Sequence, residues 1–165
     1  MNNRRIIGLL TLTTILLLWV SPSFAQEKDI FSILHLPKEI SGYANDFANI
    51  LTEEQEKKLN DTLAAYEKKT THQIVILIAD SLYGENIDEV CPEIAQTWGI
   101  GQKGQDNGVL ISLFIKDRKL RIDVGYGLEA YLTDVSTDRI RELYMQPRFR
   151  NGDFFGGLNY GILYI

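Results

Sequence analysis

The apolar residues of this chain change their period several times, and each change predicts an element. Leu59, Leu63 and Tyr66 recur at spacings of four and three, with Lys57, Lys58, Glu67 and Lys68 between them. That is the buried stripe of an amphipathic helix running from Glu53 to about Lys69. Thr52 and Gln55 match a capping box, in which a hydroxyl and a side-chain amide satisfy free N–H groups reciprocally. Gln73 to Ala79 (QIVILIA) and Val109 to Ile115 (VLISLFI) are continuous apolar runs, as strands buried on both faces require. Between them Ile87, Val90, Ile94 and Trp98 return to helical spacing. Pro92 falls inside that repeat, so the helix either starts with Pro92 in its first turn or bends there. Leu120, Ile122 and Val124 alternate as a half-buried strand after the turn Lys116–Asp117–Arg118. A helix capped by Asp134 or Ser136 carries Ile140, Leu143 and Tyr144, and Asp153 caps a last, glycine-bearing helix from Phe154.

A helix between the first two strands implies a right-handed crossover and a parallel pair, while the short turn between the second and third makes a hairpin. The expected fold class is α/β: a mixed β-sheet with a central hairpin, sandwiched between helices in an α/β/α arrangement that is Rossmann-like but not dinucleotide-binding. Its core should hold Ile74, Ile76, Ile78, Val109, Ile111, Leu113 and Trp98. Residues 42–165 form the domain. Residues 26–41 read as a linker of mixed charge with Pro37, its apolar Ile30, Phe31, Ile33 and Leu34 lying on the domain surface.

The first 25 residues change the picture. Arg4 and Arg5 precede an apolar run of 15 residues, Ile6 to Val20, interrupted by Gly8 and three threonines. Pro22 breaks the run, and Ser23 and Ala25 place small residues at positions −3 and −1 of a cleavage after Ala25. This is the pattern of a signal peptide, and the run is short of the ~20 residues that span a bilayer. An uncleaved anchor is the alternative, and a membrane enters only in that case. The expected location is extracytoplasmic, either periplasmic or secreted.

Composition excludes several classes. The chain has 17 basic and 22 acidic residues. The signal takes two of the basic ones, leaving 15 against 22 and a net charge of −7. Such a domain is a poor nucleic-acid ligand, because neutralising phosphates needs basic patches. Cys91 is the sole cysteine, so no internal disulfide forms. With two histidines, no HExxH and no CxxC, a zinc site is not expected, and no GxSxG elbow is present. Gly125-Tyr126-Gly127-Leu128-Glu129-Ala130 matches a dinucleotide fingerprint, but it follows the second arm of a hairpin rather than the first strand of a βαβ unit. Its glycines suit a tight turn.

The hairpin carries the candidate chemistry. The start of its first arm must lie beside the end of its second, which brings Asp106 and Asn107 next to Gly125 to Glu129, with Asp134 a few residues beyond. Carboxylates, an amide and exposed carbonyls are the hard oxygen ligands that Ca²⁺ or Mg²⁺ prefers. Each residue also has a plain reading: Asp106–Asn107–Gly108 is a good turn, Asp134 a helix cap and Glu129 a solvated acid.

The chain resembles the TPM domain family, named after thylakoid-lumen, photosystem-repair and receptor-modulator members and common in bacterial envelope proteins. The resemblance rests on Ala44-Asn45-Asp46-Phe47-Ala48 with Leu51, Trp98-Gly99-Ile100-Gly101, Asp106-Asn107-Gly108-Val109-Leu110, Gly125-Tyr126-Gly127-Leu128-Glu129, Leu132-Thr133-Asp134, and Pro147 with Phe149, Gly152-Asp153 and Gly157-Leu158. It implies a mixed sheet between helices, and it adds Asp46 to Asp106, Asn107 and Asp134 as candidate metal ligands. Some members are described as acid phosphatases with bound calcium, others as assembly or repair factors. Two expectations follow. One is a cation-binding envelope module that acts on a protein partner. The other is a metal-dependent, acid-phosphatase-like hydrolase of small phosphate esters, with Glu129 as acid or base and Asp134 beside the metal. The helix ahead of the first strand sets Asp46 toward the far end of the sheet from Asp106.

Overall fold

The computed structural model describes residues 28–165; the signal peptide expected at residues 1–25 lies outside them. In chain order the elements are α1 (Ile30–Ile33), β1 (Ala44–Asp46), α2 (Glu53–Thr70), β2 (Gln73–Ala79), α3 (Ile87–Thr97), β3 (Gly108–Phe114) and β4 (Lys119–Val124). A 3-10 turn (Tyr126–Leu128), α4 (Asp134–Ile140), a π turn (Arg141–Met145), α5 (Gln146–Arg150) and α6 (Phe154–Tyr164) complete the chain.

The sheet runs β1-β2-β3-β4. β1 and β3 lie parallel to β2, and β4 returns antiparallel to β3. The mixed α/β fold is therefore as the sequence implies. The middle strands are β2 and β3, so the hairpin fills one side of the sheet and β4 is an edge. Gln73 stands opposite Gly108 and Ile76 opposite Ile111, which aligns the alternation of both middle strands. Odd and even positions then feed two separate cores. Ile74, Ile76, Ile78, Val109, Ile111 and Leu113 meet Leu59 and Leu63 of α2 together with Met145, Leu158 and Ile162. Val75, Leu77, Ala79, Leu110 and Phe114 meet Val90, Cys91 and Ile94 of α3.

The capping box of α2 is formed: Thr52 Oγ1 accepts from the Gln55 N–H at 3.2 Å, and Gln55 Oε1 accepts from the Thr52 N–H at 3.0 Å. Such a cap contributes about 1 kcal/mol. Thr71 ends the helix in a left-handed conformation, and the chain enters β2 two residues later.

Several expectations need correction. Residues 30–36 are no surface linker: Ile30, Phe31, Leu34 and Leu36 are buried in the second core. The short segment covers apolar surface on the α3 side that α3 alone leaves open. β1 escapes prediction because three residues are too few to show a period. Pro92 lies inside α3 and not in its first turn. Asn86 caps the helix through the Asp88 N–H, and α3 runs past the proline at the cost of one i→i−4 hydrogen bond to Asp88. Trp98 is half-buried, with its indole N–H donated to the Pro37 carbonyl at 3.0 Å. Thr133, not Asp134 or Ser136, caps α4. The π turn then shifts the helical register, so Met145 is buried while Leu143 is left 56% exposed.

Ile76 is fully buried in the middle of the sheet. Replacing it with Ala should cost about 2–5 kcal/mol in a urea unfolding experiment. A loss under about 0.5 kcal/mol, typical of surface sites, would refute the packing described.

Candidate functional site

The edge where the parallel strands begin gathers most of the candidate residues. Asn107 ends the loop before β3 and is buried. Its Nδ2 donates to the Thr71 carbonyl at 2.7 Å, and its Oδ1 accepts from the Gln102 N–H at 2.7 Å. Its own carbonyl accepts from the Gln73 N–H at 3.1 Å. Gln73 Oε1 in turn accepts from the Gly101 N–H at 2.6 Å. One amide thus ties the glycine-rich loop, the α2–β2 turn and the start of β3 together.

The hairpin closes beside it. The Gly125 N–H donates to the Gly108 carbonyl at 2.8 Å, and the Gly127 N–H to the Asp106 carbonyl at 3.0 Å. Asp106 and Asn107 therefore do neighbour Gly125 to Glu129. A Cβ on Gly125 would collide with the Asp106 carbonyl, and one on Gly127 with the Gln105 carbonyl. Gly125 itself has φ −66°, an ordinary value. Close backbone approach, not an unusual dihedral, is what demands glycine at these two positions.

The side chains are less concentrated than the backbone. Asp106 is exposed, at φ 47°. Glu129 is exposed just after the 3-10 turn, and Asp134 is exposed in the first turn of α4. Asp46 sits at the other end of the sheet, in register with Ile78 near the end of β2. Its carboxylate accepts from the N–H groups of Ala48 (3.0 Å), Ile50 (2.8 Å) and Leu51 (2.7 Å), which fixes the entry to α2. Among the described residues no three His, Cys, Asp or Glu side chains converge on a point that could hold a metal. As placed, Asp46, Asp106, Asn107 and Asp134 do not fit a shared Ca²⁺ or Mg²⁺ ion: Asp46 is remote, and the Asn107 amide is already engaged at both ends.

The same edge holds a feature that residue types alone did not point to. A half-open cavity of about 270 Å³ is lined by Tyr66, Thr70, His72, Ile74, Val109, Leu128, Tyr131, Leu132 and Ile165. Leu128 and Leu132 face inward, whereas Tyr126 is 81% and Tyr131 86% exposed. The available signal was a pair of tyrosines, Tyr126 and Tyr131, on either side of Leu128.

A second polar group, also unforeseen, is partly buried on the α3 side of the sheet. Arg121 Nε donates to Asp123 Oδ1 at 2.6 Å, and the same guanidinium pairs with Asp88 of α3. Ser112 Oγ and Asp123 Oδ2 are buried with no hydrogen-bond partner among the described residues. Burial pushes the Cys91 thiol up to about 12, far from thiolate chemistry. Burial also raises the Asp123 carboxyl above its ordinary value, more than Arg121 lowers it.

Two outcomes follow. Because the Asp123 pKa is raised on folding, the native state holds that proton more tightly than the unfolded chain. The stabilisation is complete below the ordinary carboxylate value of ~3.9 and is lost as pH rises through the higher folded value. Asp123→Asn should therefore gain stability relative to the wild type as urea unfolding moves from about pH 4 to pH 7. A constant difference across that range would contradict the assignment. Asn107→Asp keeps an oxygen ligand but loses the donor to the Thr71 carbonyl. It should cost about 1–3 kcal/mol, as an orphaned buried carbonyl does, and calcium should not restore the loss. Recovery in calcium would make Asn107 a metal ligand instead of a staple.

Comparison with known proteins accords with this geometry. The family model of the TPM domain matches residues 44–165. No curated protein matches the chain. Among solved structures, the N-terminal domain of a protein from P. gingivalis is 31% identical, with 73% of this chain and 77% of that chain covered at a TM-score of 0.68. The BA42 protein of the psychrophilic bacterium Bizionia argentinensis is 24% identical over 72% of this chain and 81% of its own, at a TM-score of 0.63. The N-terminal domain of the cg2496 protein from Corynebacterium glutamicum is 13% identical over 78% and 80%, at a TM-score of 0.61. The last two likenesses concern the fold alone. With a match over most of its length and the shared mixed sheet, the chain belongs to the TPM domain family.

Proposed function

We propose that the domain is a non-catalytic interaction module of an exported protein, and that it engages a protein partner of the cell envelope at the strand-start edge. The observation that carries this reading is the exposure of Tyr126 and Tyr131 on a turn whose backbone is clamped to Asp106, beside an apolar cavity. Tyrosine offers a large contact area for little conformational entropy, and exposed aromatics beside a pocket are typical anchors of an interface. Asp106, Glu129 and Asp134 add negative charge around them, which suits a partner whose apolar anchor is flanked by Lys or Arg.

Export rests on the sequence of the first 25 residues. Among the described residues no helix is long and apolar enough to cross a membrane. Membership of a fold family does not carry an activity with it. The alternative, a calcium- or magnesium-dependent hydrolase using Glu129 and Asp134, is therefore ranked second.

A photo-crosslinking residue in place of Tyr131 should give a discrete adduct in envelope fractions, and the same residue in place of Glu54, exposed on α2, should not. In parallel, hydrolysis of p-nitrophenyl phosphate with calcium or magnesium should stay at background. Turnover that disappears in both Glu129→Gln and Asp134→Asn would replace the module reading with the hydrolase. For export, mass analysis should find a chain beginning at Gln26.

A further inference from the structure

We infer that the outward face of α6 rests on an anionic lipid surface. Phe154–Tyr164 contains no charged residue. Its inward side buries Gly157, Leu158, Gly161 and Ile162. Its outward side presents Tyr160, Leu163 and Tyr164, at 40%, 73% and 48% exposure. A helix on a protein surface ordinarily turns charged residues to water, and one that is apolar all round is covered. The face extends beyond the helix. Tyr144 stacks on Tyr164 with ring centres 3.8 Å apart, and the Arg148 guanidinium lies 3.6 Å from the centre of the Tyr160 ring.

Charge selects the occupant. The chain as a whole carries −5, yet after Glu142 its only acid is Asp153, whose carboxylate accepts the Gly156 N–H at the start of α6. Arg148 and Arg150 are the remaining charges of that stretch. A second copy of the chain docked face to face would bring these arginines together in one interface. Anionic headgroups complement them, and tyrosine, arginine and leucine are the residue types that settle at headgroup level and just beneath it. The surface adjoins the edge assigned to a protein partner only at Ile165, which lines the cavity there.

Hydrogen exchange on the mature chain, Gln26 to Ile165, tests this. Amides of residues 154–165 should exchange several-fold more slowly with vesicles of phosphatidylcholine doped with phosphatidylglycerol. Vesicles of phosphatidylcholine alone, or high salt, should leave them unchanged. Leu163→Glu should abolish the slowing while the circular dichroism spectrum stays native. Arg148→Gln with Arg150→Gln should weaken binding to the doped vesicles about tenfold or more. Three results would each overturn the inference: no slowing on any vesicle, equal slowing on neutral and anionic vesicles, or slowing without lipid that grows with protein concentration. The last would assign the face to a second copy.

Discussion

The in-register parallel pairing of β2 with β3, dry on both faces, is the constraint on which the other elements depend. Neither strand can expose a side without uncovering a row of Ile, Val or Leu, so each face needs its own layer of helices. α2 and the helices after the hairpin cover one face, and α3 with residues 30–36 covers the other. The pairing also decides where loops can converge. Gln73 opposite Gly108 puts the α2–β2 turn and the loop before β3 at one height, which is what lets a single amide, that of Asn107, bind them.

From that staple the character of the strand-start edge follows. The hairpin returns β4 to the same height, and two glycines let its exit lie directly against the Gln105 and Asp106 carbonyls. Backbone groups at this edge are spent on one another. What remains free is a set of side chains: tyrosines, three separated acids and the wall of a cavity. A rigid backbone that holds aromatic rings exposed is the feature the proposed recognition role draws on.

The sequence made the middle of the fold legible because burial there leaves a periodic trace. QIVILIA and VLISLFI needed only the rule for doubly buried strands, and Thr52 with Gln55 marked the helix start outright. Topology alone was enough to set Asp106 beside Gly127 and to separate Asp46 from both. Other features leave no such trace. β1 is too short for a period, and residues 30–36 look like a linker until the surface they cover is known. The roles of Asn107 and Asp46 were hidden for another reason. The same oxygens that would ligate a cation also accept N–H groups, and only geometry separates a ligand from a turn former. Arg121 and Asp123 of β4 meet Asp88 of α3, a juxtaposition that no local pattern encodes.

The burial of Cys91 has a further consequence for a chain with one thiol. Disulfide exchange proceeds through attack by a thiolate that can reach its target. A side chain with no exposed surface, held protonated beneath α3, offers neither the ion nor the approach. Wherever the surroundings are oxidising, the folded domain thus resists capture as a mixed disulfide or a covalent dimer. Only a chain that has not yet docked α3 against β3 and β4 is open to that capture, so the thiol reports on whether folding has finished.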